Sequence, residues 1–239
     1  PPPPPPPPRF FFPPHPARPA ALWSRGLGDV YKRQGTLLDD RWLCIEAINQ
    51  TLTKRNMNTI TDNEYVELFC FPVKDYYEKL GFDFIREPFS SLGIDFVDYY
   101  NSKFHEPMLQ DGAKASLRSV LDAGLTQSIL SAGKQEFLDN WVEYHGLKDN
   151  FICVLGVDDH YASGKMEIAK ILISELEYDP DNMLMIGDTI HDHEVALSIG
   201  VDCILVDHGH VSKERLVSTG RVVRSGIESI MKIVLTSKN

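Results

Sequence analysis

From residue 111 to residue 235 the chain alternates between short apolar runs and amphipathic helical stretches, and this alternation limits its fold more than any other feature. Residues 127–130, 151–155, 183–186 and 203–206 read as buried strands. Between them lie helical patterns. One, capped by Asp111, has Ala115, Leu117, Val120 and Leu121 inside and ends at Gly124. The others cover 134–145, 166–176 and 194–199, and a last one covers 227–235. A strand that returns after a helix pairs in parallel with its predecessor, and a parallel sheet is covered by helices on both faces. The expected fold is therefore a doubly wound α/β sheet. Ligands of such sheets sit beyond the carboxyl ends of the strands, so the residues that follow each strand are the functional candidates.

Residues 39–106 break the alternation. Leu43, Ile45, Ala47 and Ile48 give one apolar face, with Asp39 or Asp40 at its start. Asp62 can cap a second helix, a third runs near 73–80 to Gly81, and a fourth covers 96–104. Four short helices with no strand between them predict a small helical bundle set into the sheet.

The start of the chain has a different character. Of its 16 prolines, those at positions 1–8 form an unbroken run, which can only be extended. Residues 1–34 are basic, whereas the whole chain carries a net charge of −10. These residues are expected to be a non-native-looking extension, disordered or spurious, ahead of a folded body that begins at Gly35. A proline-rich ligand for an aromatic groove is the competing reading. The acidic body argues against a nucleic-acid binder. No apolar run approaches 18 residues, so no membrane span is expected. Cys44, Cys70, Cys153 and Cys203 form no C-x-x-C pair, which suits free thiols in a reducing cytoplasm.

At the strand ends, Ser131 is followed by Ala132 and Gly133. A hydroxyl there can donate to an anion, or simply cap a helix. Gly156, Asp158 and Asp159 follow the second strand, with Lys165 at the start of the next helix. Gly187-Asp188-Thr189 follows the third, with Asp192 four residues after Asp188. Two acids so placed can hold a hard divalent cation through oxygen ligands, or cap a helix. His191 with His193, and His208 with His210, are spaced two apart, which does not suit joint ligation from a helix; His208 or His210 can still reach substrate.

In that order, Gly35-Thr36-Leu37-Leu38-Asp39, Ser131, Lys165 and Gly187-Asp188-Thr189 with Asp192 resemble the haloacid dehalogenase-like hydrolase superfamily, and in particular its phosphoglycolate phosphatase-like members. The resemblance implies a core of 35–38 and 107–239 with a helical cap at 39–106. It implies a Mg2+-dependent hydrolase of a small phosphorylated metabolite, acting through an aspartyl-phosphate. Gly35, Thr36, Ser131, Ala132 and Lys165 would bind phosphate, Ser131 and Lys165 would also serve catalysis, and Asp188 and Asp192 would bind the metal. The first motif departs from the family pattern: Lys32 stands at the nucleophile position and Gln34 at the acid/base position. An ammonium cannot do the work of a carboxylate that attacks phosphorus, so the chain as written is expected not to turn over. Two accounts compete: either Lys32 pairs with Asp188 and replaces the metal, or 1–34 is not native. An inactive binding module of the same fold and a phosphosugar mutase are the alternative functions.

Overall fold

The computed structural model describes residues 28–157, 165–176 and 178–236. Most of the basic start, along with Asp158 and Asp159, lies outside the described residues. Six strands form one sheet: β1 (Gly28–Tyr31), β2 (Thr126–Lys134), β3 (Cys153–Val157), β4 (Met183–Gly187), β5 (Asp202–Val206) and β6 (Val222–Arg224). Their order is β3-β2-β1-β4-β5-β6 and every pairing is parallel. This is the doubly wound arrangement that the alternation predicts.

The sequence reading is corrected at β1. Gly28–Tyr31, which the composition places in the extension, is the central strand, in register with Thr126–Ile129 on one side and Met183–Ile186 on the other. Alternate residues of a strand face opposite ways. Tyr31 enters the cluster of Leu117, Ile129, Trp141 and Ile186, while Val30 enters that of Leu130, Leu172, Met185 and Val195. Two apolar residues therefore suffice to seat β1 between both layers, and so short a run gives little periodicity to read. The folded core thus includes residues 28–34.

Four helices follow β1: α1 (Arg41–Thr53), α2 (Asp62–Leu68), α3 (Val73–Lys79) and α4 (Phe89–Ser102). They pack around Leu43, Ile48, Leu52, Tyr65, Tyr77 and Leu92, a cluster of their own. The fourth begins earlier than the apolar spacing suggested. The chain leaves and re-enters the sheet domain at adjacent points: Asp39 N–H donates to Met108 O at 2.9 Å and Gln110 N–H to Leu37 O at 2.9 Å. The remaining helices are α5 (Ala113–Asp122), α6 (Gln135–Tyr144), α7 (Lys165–Leu176), α8 (Ile190–Ile199), α9 (Lys213–Val217) and α10 (Ile227–Thr236). Gly112, in the left-handed region at φ 73°, takes the N-cap position expected for Asp111. β6 and α9 are too short to have been read from periodicity.

Candidate active site

The β1 ladder continues one residue past the strand, where Lys32 N–H donates to Ile186 O at 3.0 Å. Lys32 therefore points to the same side as Val30, into the edge where β1 and β4 end. Gly35, at φ 72°, then turns the chain back; a Cβ there would overlap the Asp188 carboxylate. The turn brings Thr36 over the end of β4, and its hydroxyl donates to Asp188 Oδ1 at 2.7 Å.

Asp188 and Asp192 are both fully buried. Asp188 Oδ2 accepts the His210 N–H at 2.9 Å, and its Oδ1 lies 3.0 Å from Lys32 Nζ. Asp192 Oδ2 accepts the Asp188 and Thr189 N–H groups at 3.1 and 2.9 Å and the Thr189 hydroxyl at 2.7 Å. Thr189 answers as the N-cap of α8, completing a capping box. Lys165 Nζ donates to Asp192 Oδ1 at 2.5 Å, while Lys32 Nζ stands 3.9 Å from Asp192 Oδ2. Asp192 thus caps α8 through one oxygen and pairs with the Lys165 ammonium through the other.

Burial and charge pairing compete in this cluster. Burial raises the Asp192 carboxyl, but the Lys165 and Lys32 charges outweigh it and hold it well below the usual carboxylate range. Burial alone would lower Lys32, yet Asp188 and Asp192 reverse that and raise it. Burial lowers Lys165, against the pull of Asp192.

Lys32, Thr36, Lys165, Asp188 and Asp192 thus form one buried cluster. Ser131 and Ala132 lie within the last part of β2, which runs on to Lys134, and Ser131 Oγ accepts the Gly133 N–H at 3.0 Å. Gly35 and Thr36, expected to bind phosphate, have their donors committed to carboxylates: Gly35 N–H to Asp40 Oδ1 at 2.9 Å and the Thr36 hydroxyl to Asp188. The expected Mg2+ ligands meet a similar obstacle. A divalent cation between Asp188 and Asp192 would have to share their oxygens with the Lys32 ammonium, so the residues present do not fit it.

Two residues at the site were missed by the sequence reading. Arg33 is buried, and its Nε and Nη1 make no hydrogen bond. A Cβ on Gly133 would lie 3.1 Å from Arg33 Nη2 and 3.2 Å from Ser131 Oγ, so guanidinium and hydroxyl converge on the same glycine. Buried unsatisfied donors are costly, and the nitrogen that faces Gly133, Nη2, is the one an oxyanion at this glycine would meet. The second missed residue is Asp40, which accepts the Tyr100 hydroxyl at 2.7 Å and sits 3.3 Å from His210 Nε2. Tyr65 Oη lies 3.0 Å from His210 Nδ1. Asp40, His210 and Cys44 place potential ligand atoms within 4.8 Å of one another, but the carboxylate and imidazole already have protein partners.

Burial raises the Asp40 carboxyl, but the His210 bond and the charges of His210 and Arg33 outweigh it and hold it below its ordinary 3.8. A folded-state value below the unfolded one stabilises the fold above pH 3.8, and that contribution fades as pH falls through the folded value. Asp40→Asn is expected to flatten the acid limb of the unfolding curve below about pH 4, read by urea unfolding across pH; an unchanged limb refutes the assignment.

The remaining histidines act separately. His191 lies 3.1 Å from Glu194, His193 accepts from Arg221 Nε at 3.0 Å, and His208 Nε2 lies 3.2 Å from Thr36 O. Neither His-x-His pair converges on one point. Above the cluster, a cavity of about 590 Å³ separates the strand-end loops from α1–α4; Lys32, Arg33, Gln34, Ala132, Gly133 and Lys134 line its floor.

Residues 34–206 match the family model of the haloacid dehalogenase-like hydrolases. A phosphoglycolate phosphatase from Vibrio vulnificus is 26% identical over 145 residues, covering 59% of this chain and 64% of that protein. The chain therefore spans somewhat under two thirds of the length of that curated relative. A 5'-nucleotidase from Pseudomonas aeruginosa is 24% identical over 195 residues, covering 78% of this chain and 85% of its own. The crystal structure of a predicted phosphatase from Clostridium acetobutylicum superposes with a TM-score of 0.76 at 22% identity, covering 89% of this chain and all of that one.

Proposed function

The chain belongs to the haloacid dehalogenase-like hydrolase family, and on that premise we propose that its site derives from a Mg2+-dependent phosphatase of a small phosphorylated metabolite, with Lys32 in the place of the metal and nucleophile and Gln34 in that of the acid/base group, which leaves an inactive, metal-independent, phosphate-binding form. The observation that carries this reading is the Lys32 ammonium, 3.0 Å from Asp188 and 3.9 Å from Asp192. Its positive charge stands in for a metal ion electrostatically. It offers no lone pair to phosphorus, because the carboxylates keep it protonated. The Gln34 amide neither gives up nor takes a proton near neutral pH, so it cannot serve a leaving group as acid or base. The floor keeps groups that phosphate binding needs: the Arg33 guanidinium and the Lys134 ammonium line it beneath a layer of helices, and the Ser131 hydroxyl lies behind Gly133. A phosphate ester of a cytoplasmic metabolite is the partner this floor suits.

The reading predicts that inorganic phosphate binds to the chain with or without divalent cations. Arg33→Ala is expected to weaken that binding about 10- to 100-fold, the scale of one charge-assisted hydrogen bond. Isothermal titration with phosphate at fixed ionic strength measures it. Phosphate binding that depends on Mg2+, or that ignores Arg33, overturns the assignment.

A further inference from the structure

The cavity above the strand ends is divided by chemistry. Its floor supplies the cations among the described residues, namely Lys32, Arg33 and Lys134. Its roof, formed by α1–α4 and their links, is built largely from aromatic rings. Phe69 packs edge-on against Phe71 and Tyr76, with ring centroids 5.4 and 5.3 Å apart. Phe96 stacks on Tyr100 at 6.2 Å. These rings hold one another in place, so the apolar wall is preformed and does not wait for a ligand to order it. The one charged roof residue among those lining the space is Asp98.

From this division we infer that the site takes a phosphomonoester of an aromatic, uncharged alcohol, and disfavours esters whose alcohol carries a carboxylate. The inference rests on the phosphate-binding reading above and adds the identity of the group esterified to the phosphate. With the phosphate on the floor, the alcohol must lie under the rings. There an aromatic group trades water for offset and edge-on ring contacts. A carboxylate in the same place loses its water, meets no roof cation and faces Asp98, a combination that is strongly unfavourable. The volume of about 590 Å³ also leaves an acid as small as glycolate mostly surrounded by empty space.

Gly93 provides the structural test. It lies in α4 and lines the cavity, and a Cβ there meets nothing within 4 Å. Gly93→Leu therefore fills the space beneath the rings without a clash at its own position. Competition titrations on the full chain compare 1-naphthyl phosphate, 2-phosphoglycolate, inorganic phosphate and phosphate-free 1-naphthol. 1-Naphthyl phosphate is expected to bind at least about tenfold more tightly than 2-phosphoglycolate, equivalent to the loss of one buried charge's hydration in part, and Gly93→Leu is expected to bring that ratio close to one. Thermal unfolding of the variant confirms that it is folded. If 2-phosphoglycolate binds as tightly as the naphthyl ester, the aromatic assignment is wrong while the phosphate reading stands. If 1-naphthol binds as tightly as its phosphate ester and inorganic phosphate does not bind, the phosphate reading fails and takes this inference with it. A ratio unchanged in folded Gly93→Leu overturns the placement of the alcohol under the rings.

Discussion

Changing Lys32 and Gln34 together to aspartate is expected to raise phosphomonoesterase kcat/KM by about 10⁴-fold or more, the scale on which removal of a nucleophile silences an enzyme. The double change puts a carboxylate at the end of β1, beside Asp188 and Asp192, and an acid/base group two residues on. Without a counter-ion this crowds buried negative charge, because the ammonium that offsets Asp188 is gone. Folding of the variant should therefore depend on a divalent cation. Mg2+ is expected to raise its thermal midpoint by several degrees and chelation to reverse the gain, while the present sequence responds to neither. The two readouts are independent: the thermal shift reports a cation among the carboxylates, and hydrolysis of a panel of esters reports the chemistry. A folded, Mg2+-stabilised variant that hydrolyses nothing on a broad panel would leave the chain a binding module and remove the phosphatase reading.

Much of the fold is legible in the sequence, for a simple reason. Strands such as 183–186 are buried on both faces, so every residue is apolar and the run stands out. The helices after them carry a one-sided apolar stripe. What stayed hidden was short or polar. β1 has only Val30 and Tyr31 to show, and a proline-rich segment precedes it, so it reads as the tail of the extension although two neighbouring strands fix its register. The candidate acids were visible because Gly187-Asp188-Thr189 directly follows such a strand. Their actual partners were not, because Thr36 and Asp188 are far apart in sequence and meet only through the Gly35 turn. Arg33 could be recognised as a site residue only once its guanidinium was placed beside Ser131 and Gly133. The Asp40–His210 contact likewise joins the start of α1 to the loop after β5, and local spacing holds no trace of it.

Removing Asp192 tests the same charge cluster from the side of stability, and its effect should be large. Asp192 is fully buried, holds the Lys165 ammonium and closes the first turn of α8 by accepting two backbone N–H groups and a hydroxyl. Asp192→Ala strands a buried ammonium, which typically costs about 3–5 kcal/mol, and it also removes a capping interaction worth about 1 kcal/mol. The ammonium term can be separated from the capping term. Lys165→Met with Asp192→Ala leaves no stranded charge, since the methionine fills the lysine's volume without needing a partner. The double variant should therefore be more stable than Asp192→Ala alone, while Lys165→Met alone, which strands Asp192, is less stable than the parent, a pair of outcomes that independent contributions cannot produce. Urea unfolding of the three variants and the parent measures both at neutral pH, where the depressed Asp192 carboxyl is ionised in the parent. Were the double variant less stable than Asp192→Ala alone, Lys165 would be held by something other than Asp192, and the buried pair would have to give up its place at the centre of the site.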